Sequence, residues 1–388
     1  MARILYFTRD YTTHDHRFLS ALAKTEHKVY YLRLERGPHQ YEDRPLPPEV
    51  EIVSWAGGRA PARLVDGPRL LSSLRRLIRQ IKPDLIQAGP IQRAAFLAAL
   101  SGFHPLISMS WGYDLIQDAR RNRFWGWATR YTLQRSDLLV GDSNTIRHLA
   151  VSYGMPQECI VTFPWGVDIG HFTPGPVSSA SPISRQGTNT FTLLSTRSWE
   201  PIYGVDVIAR AFAQAAQQHP ELRLLMLSNG SQAGLLQSIF SAAGVSDRVL
   251  FPGQVSQAEL PRLYGMADLY LSASHSDGTS ISLLEAMACG KPVLVTDLPG
   301  NREWVTPGEN GWLFPDCDVK SLAALISQAV EQRLRLPEIG RAARRLAERR
   351  ADWSENFQVL LEAYQLVFAG TRPGAQSTDH TPRDVSYG

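Results

Sequence analysis

The chain has 388 residues, 44% of them hydrophobic, and a formal net charge of +3 from 40 Lys and Arg against 37 Asp and Glu. That length suits two domains of ordinary size, and so small a charge gives no argument for a nucleic-acid partner. No apolar run approaches the roughly 18 residues that a bilayer span requires. A strand-like run, Ile4–Phe7, begins too early for a signal peptide to be expected. Cys159, Cys289 and Cys317 are scattered without metal-ligand spacing and read as small core residues in a reducing cytosol.

Short apolar strands alternate with helix-period segments. Ile4–Phe7 precedes a helix near Arg17–Ala23 and a strand at Val29–Leu34; a shorter strand lies near Val50–Ser54, and a helix runs over Arg69–Ile81. Leu85–Gln87, Leu106–Ser110, Asp137–Gly141 and Cys159–Phe163 read as further strands, with helices at Gln92–Leu100, Trp125–Gln134 and Asn144–Ser152. Strands separated by helices in this way predict a parallel sheet covered on both faces. Residues 170–189 are rich in Pro, Ser, Gly and Thr without periodicity, and read as a linker. The alternation then restarts, with strands at Phe191–Ser195, Leu222–Leu227, Arg248–Phe251, Leu269–Ala273 and Val293–Thr296. Helices are expected at Val205–Gln218, Ala233–Ala243, Ala258–Met266, Ser280–Cys289, Val319–Glu331, Ile339–Arg349 and Ser354–Phe368. The polar tail 370–388 is expected to be disordered. The division is therefore an N-terminal domain over 1–169, the linker, a second domain over 190–350, a last helix within 351–369, and the tail. The fold class is α/β, with two doubly wound parallel-sheet domains.

In open α/β sheets, ligands bind beyond the carboxyl ends of the strands. Polar, glycine-bearing loops collect there in both halves: Arg9 to His16, Trp111 to Asp114 and Trp165 to Asp168 in the first, and Arg197 to Tyr203, Asn229 to Ser231, Gly253, Asp277 and Pro299 to Glu303 in the second. If the domains face each other, these loops line one cleft. The stretch from Ser274 to Glu303 is the most informative, placing Asp277 and Gly278 on a loop and Glu285 inside the helix that follows. The unpaired N–H groups of a helix start seat phosphate, and two nearby carboxylates suit hydroxyls, so a nucleotide sugar fits. The same residues have an ordinary structural reading: Ser282 to Glu285 has capping-box spacing, and Asp277, Thr279 and Ser280 are common helix-start residues.

The run Leu284–Val293, Leu-Glu-Ala-Met-Ala-Cys-Gly-Lys-Pro-Val, with Asp277 and Glu285 separated by seven residues, resembles the donor-site signature of retaining GT-B glycosyltransferases, especially glycosyltransferase family 4. The resemblance implies the GT-B arrangement of two Rossmann-like domains, with the last helix crossing back to the first. It also implies transfer of a sugar from a nucleoside-diphosphate donor to a glycan, glycolipid or small-molecule acceptor, with retention and without metal or cofactor. Arg197, Asp277 and Asp114 are then the expected catalytic set. Arg197 meets the diphosphate, with the N–H groups of Gly278, Thr279, Ser280 and Ile281. Asp277 holds sugar hydroxyls, Glu285 the ribose, and the backbone at Gly253 and Val255 the base. Trp111, His14 and His16 are the expected acceptor-side residues. Three positions depart from the family pattern: Tyr203 stands where a Lys is usual, Trp111 where a His is usual, and Asp277 where a Glu is usual. Arg302 could make good the missing cation. Asp168, in Trp-Gly-Val-Asp, is expected to cap or shape a hinge.

His14-Asp15-His16 lacks a third and fourth ligand at a useful spacing, so no metal is expected. The basic amphipathic segment Arg69–Lys82 and the mixed segment Arg120–Trp127 suit either a solvated face with a core aromatic cluster, or peripheral contact with an anionic membrane surface by a cytoplasmic protein. Two other functions share the scaffold: a nucleotide-sugar 2-epimerase-like isomerase, and a catalytically weak nucleotide-sugar-binding subunit.

Overall fold

The computed structural model describes residues 1–37, 42, 44–175 and 190–370. Most of the expected linker and the tail beyond residue 370 lie outside the described residues. The chain forms two compact units: residues 1–141, 146–162 and those from 358 onward make the first, and 142–145 with 163–357 the second.

The first unit is built on seven parallel strands in the order β3-β2-β1-β4-β5-β6-β7. They are β1 (Arg3–Thr8), β2 (Lys28–Arg33), β3 (Glu51–Ile52), β4 (Leu85–Gly89), β5 (Leu106–Met109), β6 (Leu138–Gly141) and β7 (Ile160–Thr162). Helices α1 (Thr13–Leu22), α2 (Gly67–Ile81), α3 (Phe96–Ser101), α4 (Tyr113–Ile116), α5 (Arg123–Gln134) and α6 (Asn144–Ser152) connect them. The helix α1 starts earlier than its apolar pattern suggests, because Thr12 and Asp15 form a reciprocal capping box. His14, Asp15 and His16 therefore lie in a helix turn rather than a loop. In α2, Leu70, Leu74 and Leu77 repeat at helical spacing and are buried. Arg75 on the same helix donates to the carbonyls of Leu100 and Ser101 at the end of α3.

The second unit has six parallel strands in the order β10-β9-β8-β11-β12-β13. These are β8 (Phe191–Ser195), β9 (Leu222–Leu227), β10 (Val249–Gly253), β11 (Leu269–Ser272), β12 (Val293–Thr296) and β13 (Gly311–Phe314). Its helices are α7 (Val205–Gln218), α8 (Ala233–Ala242), α9 (Leu260–Met266), α10 (Ile281–Ala288), α11 (Pro299–Arg302), α12 (Val319–Glu331) and α13 (Leu336–Arg350); α14 (Trp353–Phe368) is shared between the units. The strands read as continuous apolar runs because both faces are covered. Successive residues Leu193 and Leu194 enter different cores, the first with Phe212 and Leu322, the second with Leu284 and Ala343.

The domain boundary falls earlier than residue 169. Val167 donates its N–H to Ala351 at 2.7 Å and accepts from Trp353, so the Trp165–Asp168 segment belongs to the second unit. Asp168 accepts from the N–H groups of Gly170 and His171, a turn-capping role. The end of α14 packs in the first unit, where the Tyr364 hydroxyl meets Gln87 and its ring lies 6.3 Å from His27. In each sheet the strand order reverses beside the first strand, between β1 and β4 and between β8 and β11. These are the switch points where parallel sheets open a crevice for ligands.

Candidate functional site

At the second switch point, the loops after β8 and β11 bring Arg197 and Asp277 together. The Arg197 Nη2 lies 2.8 Å from Asp277 Oδ2, and both side chains are largely buried. The Nη1 of the same guanidinium donates to the hydroxyls of Ser280 and Ser282, at 3.0 and 3.4 Å. Tyr203, at the position where the family pattern has a lysine, places its ring 4.1 Å from the guanidinium carbon and stacks on it. The departure thus supplies a rigid support for the one cation in place of a second cation. Burial raises the Asp277 carboxyl above its ordinary range, against the pull of Arg197 and the Gly278 N–H. Gly204 makes the approach of the two loops possible: its φ is +56°, and a Cβ there would lie 2.1 Å from the Ala273 carbonyl oxygen.

Among the described residues, five buried polar atoms around this pair have no hydrogen-bond partner: Ser195 Oγ, Arg197 Nε, Ser276 Oγ, Asp277 Oδ2 and Thr296 Oγ1. Oδ2 is close to Arg197 as an ion pair, but not aligned for a hydrogen bond. All five lie at or just beyond the carboxyl ends of three adjacent strands, β8, β11 and β12. Native interiors leave few such groups unmade, so their concentration at one strand edge is what a polar ligand site looks like.

Glu285 is not part of a capping box. The N-cap of α10 is Ser280, which makes no side-chain cap bond, and Glu285 lies deeper in the helix. The carboxylate is buried and accepts from the Tyr264 hydroxyl at 2.9 Å. Tyr264 comes from α9, a helix that no local motif ties to α10.

The backbone around Gly278 is less open than expected. Asp142, just after β6, accepts from the Thr279 N–H at 2.9 Å, and its carbonyl accepts from the Thr279 hydroxyl at 3.0 Å. Gly278 is required here, because a Cβ would lie 2.6 Å from Asp142 Oδ2. Burial, with the charges of Asp277 and Glu303, pushes the Asp142 carboxyl up to about 7. Glu303 in turn accepts from the N–H groups of Asn144 and Thr145. Asp142 was missed by sequence reasoning, although the strand-end rule applies to β6 as it does to the other strands.

The remaining expected residues fall in several places. Gly253, with φ at +79°, closes β10 and accepts from the Ser228 N–H, and Val255 follows it, half-buried. Arg302 pairs with Asp297 at 2.5 and 2.9 Å on the exposed surface, so it is not held toward Arg197. In the first unit, Trp111 stacks 5.3 Å from His14 in a tilted arrangement, and His16 Nδ1 contacts the Tyr11 hydroxyl at 2.7 Å. Burial lowers the His16 pKa.

Asp114 is held by the protein's own donors rather than standing open to a ligand. It is completely buried, and its two oxygens accept from the N–H groups of Ile91 and Leu115 and from the Ser110 hydroxyl. Burial pushes it up to about 6. Asp114→Ala would strand at least two buried backbone donors at about 1–3 kcal/mol each. Denaturant unfolding should therefore show a loss of several kcal/mol, and an unchanged midpoint would contradict this role.

A cavity of about 450 Å³ opens beside β2 and was not foreseen; Tyr11, Tyr31, Arg33, Arg36, Arg44 and Arg59 are among its lining residues. Arg44 pairs with Glu42 at 2.7 Å, and the buried Tyr31 hydroxyl has no partner. Cys159 and Cys289 are core residues as expected, but Cys317 is exposed.

Two family models match the chain: that described as glycosyltransferase family 4 over residues 12–171, and that described as glycosyl transferases group 1 over residues 180–368. The chain is 24% identical over 380 residues to the GDP-mannose-dependent alpha-(1-6)-phosphatidylinositol monomannoside mannosyltransferase of Mycolicibacterium smegmatis, covering 93% of this chain and 94% of that protein. It is 30% identical over 239 residues to the D-inositol 3-phosphate glycosyltransferase of Thermobispora bispora, covering 59% of this chain and 56% of that one. Among solved structures, HepE of Anabaena in complex with UDP-glucose superposes with a TM-score of 0.76 at 19% identity, covering 94% of this chain and all (100%) of that one. Sucrose-phosphate synthase of Thermosynechococcus elongatus does so with a TM-score of 0.78 at 17% identity, covering 96% and 100%. With the signature at Leu284–Val293 and two Rossmann-like sheets of seven and six strands, the chain belongs to glycosyltransferase family 4, the group 1 enzymes of GT-B fold that use nucleotide-sugar donors.

Proposed function

We propose that the protein transfers a sugar from a nucleoside-diphosphate donor to a glycan or lipid-linked acceptor, with retention at the anomeric carbon and no metal in the chemical step. The observation that carries the reading is the set of unpartnered polar atoms around Arg197 and Asp277 at the ends of β8, β11 and β12. When the bond to the diphosphate breaks, negative charge builds on the leaving group and positive charge on the sugar. Arg197, held in place by Tyr203, Ser280 and Ser282, would meet the first. Asp277 would orient sugar hydroxyls and stabilise the second. Glu285, fixed by Tyr264, would accept from the ribose.

On the acceptor side, the cavity beside β2, where Arg36 and Arg59 stand beside the pairs Arg33–Asp10 and Arg44–Glu42, suits an anionic group, and the lipid-linked substrate named for the Mycolicibacterium relative supports that choice. Equal rates with charged and uncharged acceptors would remove this part. Phe124 and Trp127 are 44% and 49% exposed beside the arginines of the 120–130 segment, which supports peripheral contact with a lipid-linked substrate. Flotation with anionic vesicles should then fall with added salt; indifference to lipid charge would remove the membrane contact. No helix among the described residues is long and apolar enough to cross a membrane.

The test is a panel of nucleotide sugars scored by thermal shift, followed by product analysis. One donor should raise Tm, release nucleoside diphosphate, and give a product of unchanged anomeric configuration in the presence of EDTA. A changed sugar without transfer would favour the isomerase. Glu285→Gln should raise the donor KM about 10–100-fold, as expected for a lost hydrogen bond to a charged group. An unchanged KM would remove Glu285 from the site.

A further inference from the structure

His275, Asp316 and Cys317 were not grouped by sequence spacing, since His275 and Asp316 are 41 residues apart. The parallel order β11-β12-β13 brings the loop after β11 beside the loop after β13. There the His275 Nδ1 lies 2.6 Å from Asp316 Oδ1, and Cys317 Sγ lies 3.6 Å from each of those atoms. We propose that these three side chains bind a zinc-type divalent cation, which fastens together the loops of the donor site.

The geometry and the donor set both fit. Zinc bonds of about 2.0–2.1 Å to N or O and about 2.3 Å to S give tetrahedral edges of about 3.6 Å between S and N or O, and about 3.4 Å between N and O. The two edges to sulfur already have this length; the histidine–carboxylate hydrogen bond has only to open by less than an ångström. Imidazole, thiolate and carboxylate together are a borderline-soft set that favours zinc over magnesium or calcium.

Cys317 also holds a backbone conformation, φ +61°, that glycine adopts at lower cost. The turn is fixed on both sides: Asp318 N–H donates to Pro315, and Val319 N–H to Cys317. Asp206, which forms an ion pair with Arg210 and adds to the negative field at Cys317, or water, would complete the coordination. Desolvation, then Asp316 and the charge of Asp206, raise the thiol pKa, so metal entry must displace its proton.

The link to function runs through His275. Its N–H donates to the Ile202 carbonyl at 2.9 Å, joining the loop that carries Asp277 to the loop that carries Arg197 and Tyr203. A cation on His275 would restrain both loops against the β13–α12 turn. It would not touch the reacting atoms, and so is compatible with a metal-independent chemical step.

The full chain, stripped with chelator, is titrated with Zn(II) against a chromophoric competitor, and then with Co(II). We expect one zinc per chain, a thiolate-to-cobalt charge-transfer band, and a Tm raised by zinc. Cys317→Ser should lose the band and at least about 100-fold in zinc affinity, more than typical losses from removing supporting groups. Cys317→Gly relieves the backbone, so its metal-free Tm should equal or exceed that of the parent while its zinc response disappears. A band that survives in Cys317→Ser, or zinc affinity equal in the parent and Cys317→Gly, overturns the site. Zinc should also lower donor KM with little change in kcat; this second readout rests on the proposed donor site. Zinc binding with an unmoved KM overturns the fastening role, whereas failure of every nucleotide sugar to bind overturns the donor reading and leaves the zinc titration decisive for the site.

Discussion

Arg197→Ala is expected to lower kcat/KM by about 10²–10³-fold, the range seen when one preorganised donor to a developing anion is removed. The guanidinium is the one cation on the loops after β8 and β11, and its fork reaches Asp277, Ser280 and Ser282 together while its face rests on Tyr203. Arg197→Lys should recover little, because an ammonium cannot span a carboxylate and two hydroxyls or stack in the same way. Arg197→Ala also leaves Asp277 buried without its counter-charge, which in comparable pairs costs about 3–5 kcal/mol. Activity loss alone would therefore not separate a catalytic from a structural role. The double variant Arg197→Met, Asp277→Leu separates them, since replacing both buried charges by apolar groups restores most of the stability. It should melt near the parent and remain inactive with every donor. Recovery of activity together with stability would show that the pair only holds the fold. Tyr203→Lys completes the test: it restores a second cation but removes the stacking support, and donor affinity should change without abolishing turnover.

The fold was legible wherever burial on both faces wrote itself into composition. The strands Phe191–Ser195 and Val293–Thr296 could be placed to the residue because every position is apolar or small, and both cores demand it. The edge strand Gly311–Phe314 was not read: it is four residues long and opens at Asn310-Gly311, a pair that signals a turn. The first turn of α1 was hidden for a related reason, since Thr12 and Asp15 set its start while its apolar residues begin only at Phe18.

The site was legible in outline. Arg197, Asp277 and Glu285 were singled out because they sit on strand ends and in one dense motif. The partners that determine how they behave come from distant sequence: Tyr264 on Glu285, Asp142 on Thr279, Asp316 and Cys317 on His275. No local pattern marks such pairs. Asp114 shows the same limit from the other side. Its place in a strand-end loop was legible, but not that the backbone donors of that loop need it as a buried acceptor.

Asp142→Asn is expected to stabilise the protein at pH 8 and to flatten its response to pH. Burial raises this carboxyl from 3.8 to about 7, and the facing charges of Asp277 and Glu303 add to the effect. Between those two pH values the native state keeps a proton that the unfolded chain releases. The contribution of this group to stability is therefore complete below pH 4 and is lost as the pH rises through 7. A shift of that size corresponds to a few kcal/mol, on the order of 2–4. An asparagine keeps an oxygen for the Thr279 N–H but carries no charge, so the variant should gain that amount over the parent at pH 8 and nothing at pH 4. Asp15 and Asp114, each pushed up to about 6, titrate in the same window, but they do so in both proteins and cancel in the difference. Parallel stability profiles would show that Asp142 is ionised without penalty. The donor provides an independent reading of the same charge. Above pH 7 an ionised Asp142 would stand beside the N–H groups expected to receive a diphosphate, so donor KM should rise with pH in the parent. In Asp142→Asn that rise should be much smaller, because the repelling charge is gone while the Gly278–Thr279 turn keeps its hydrogen bond.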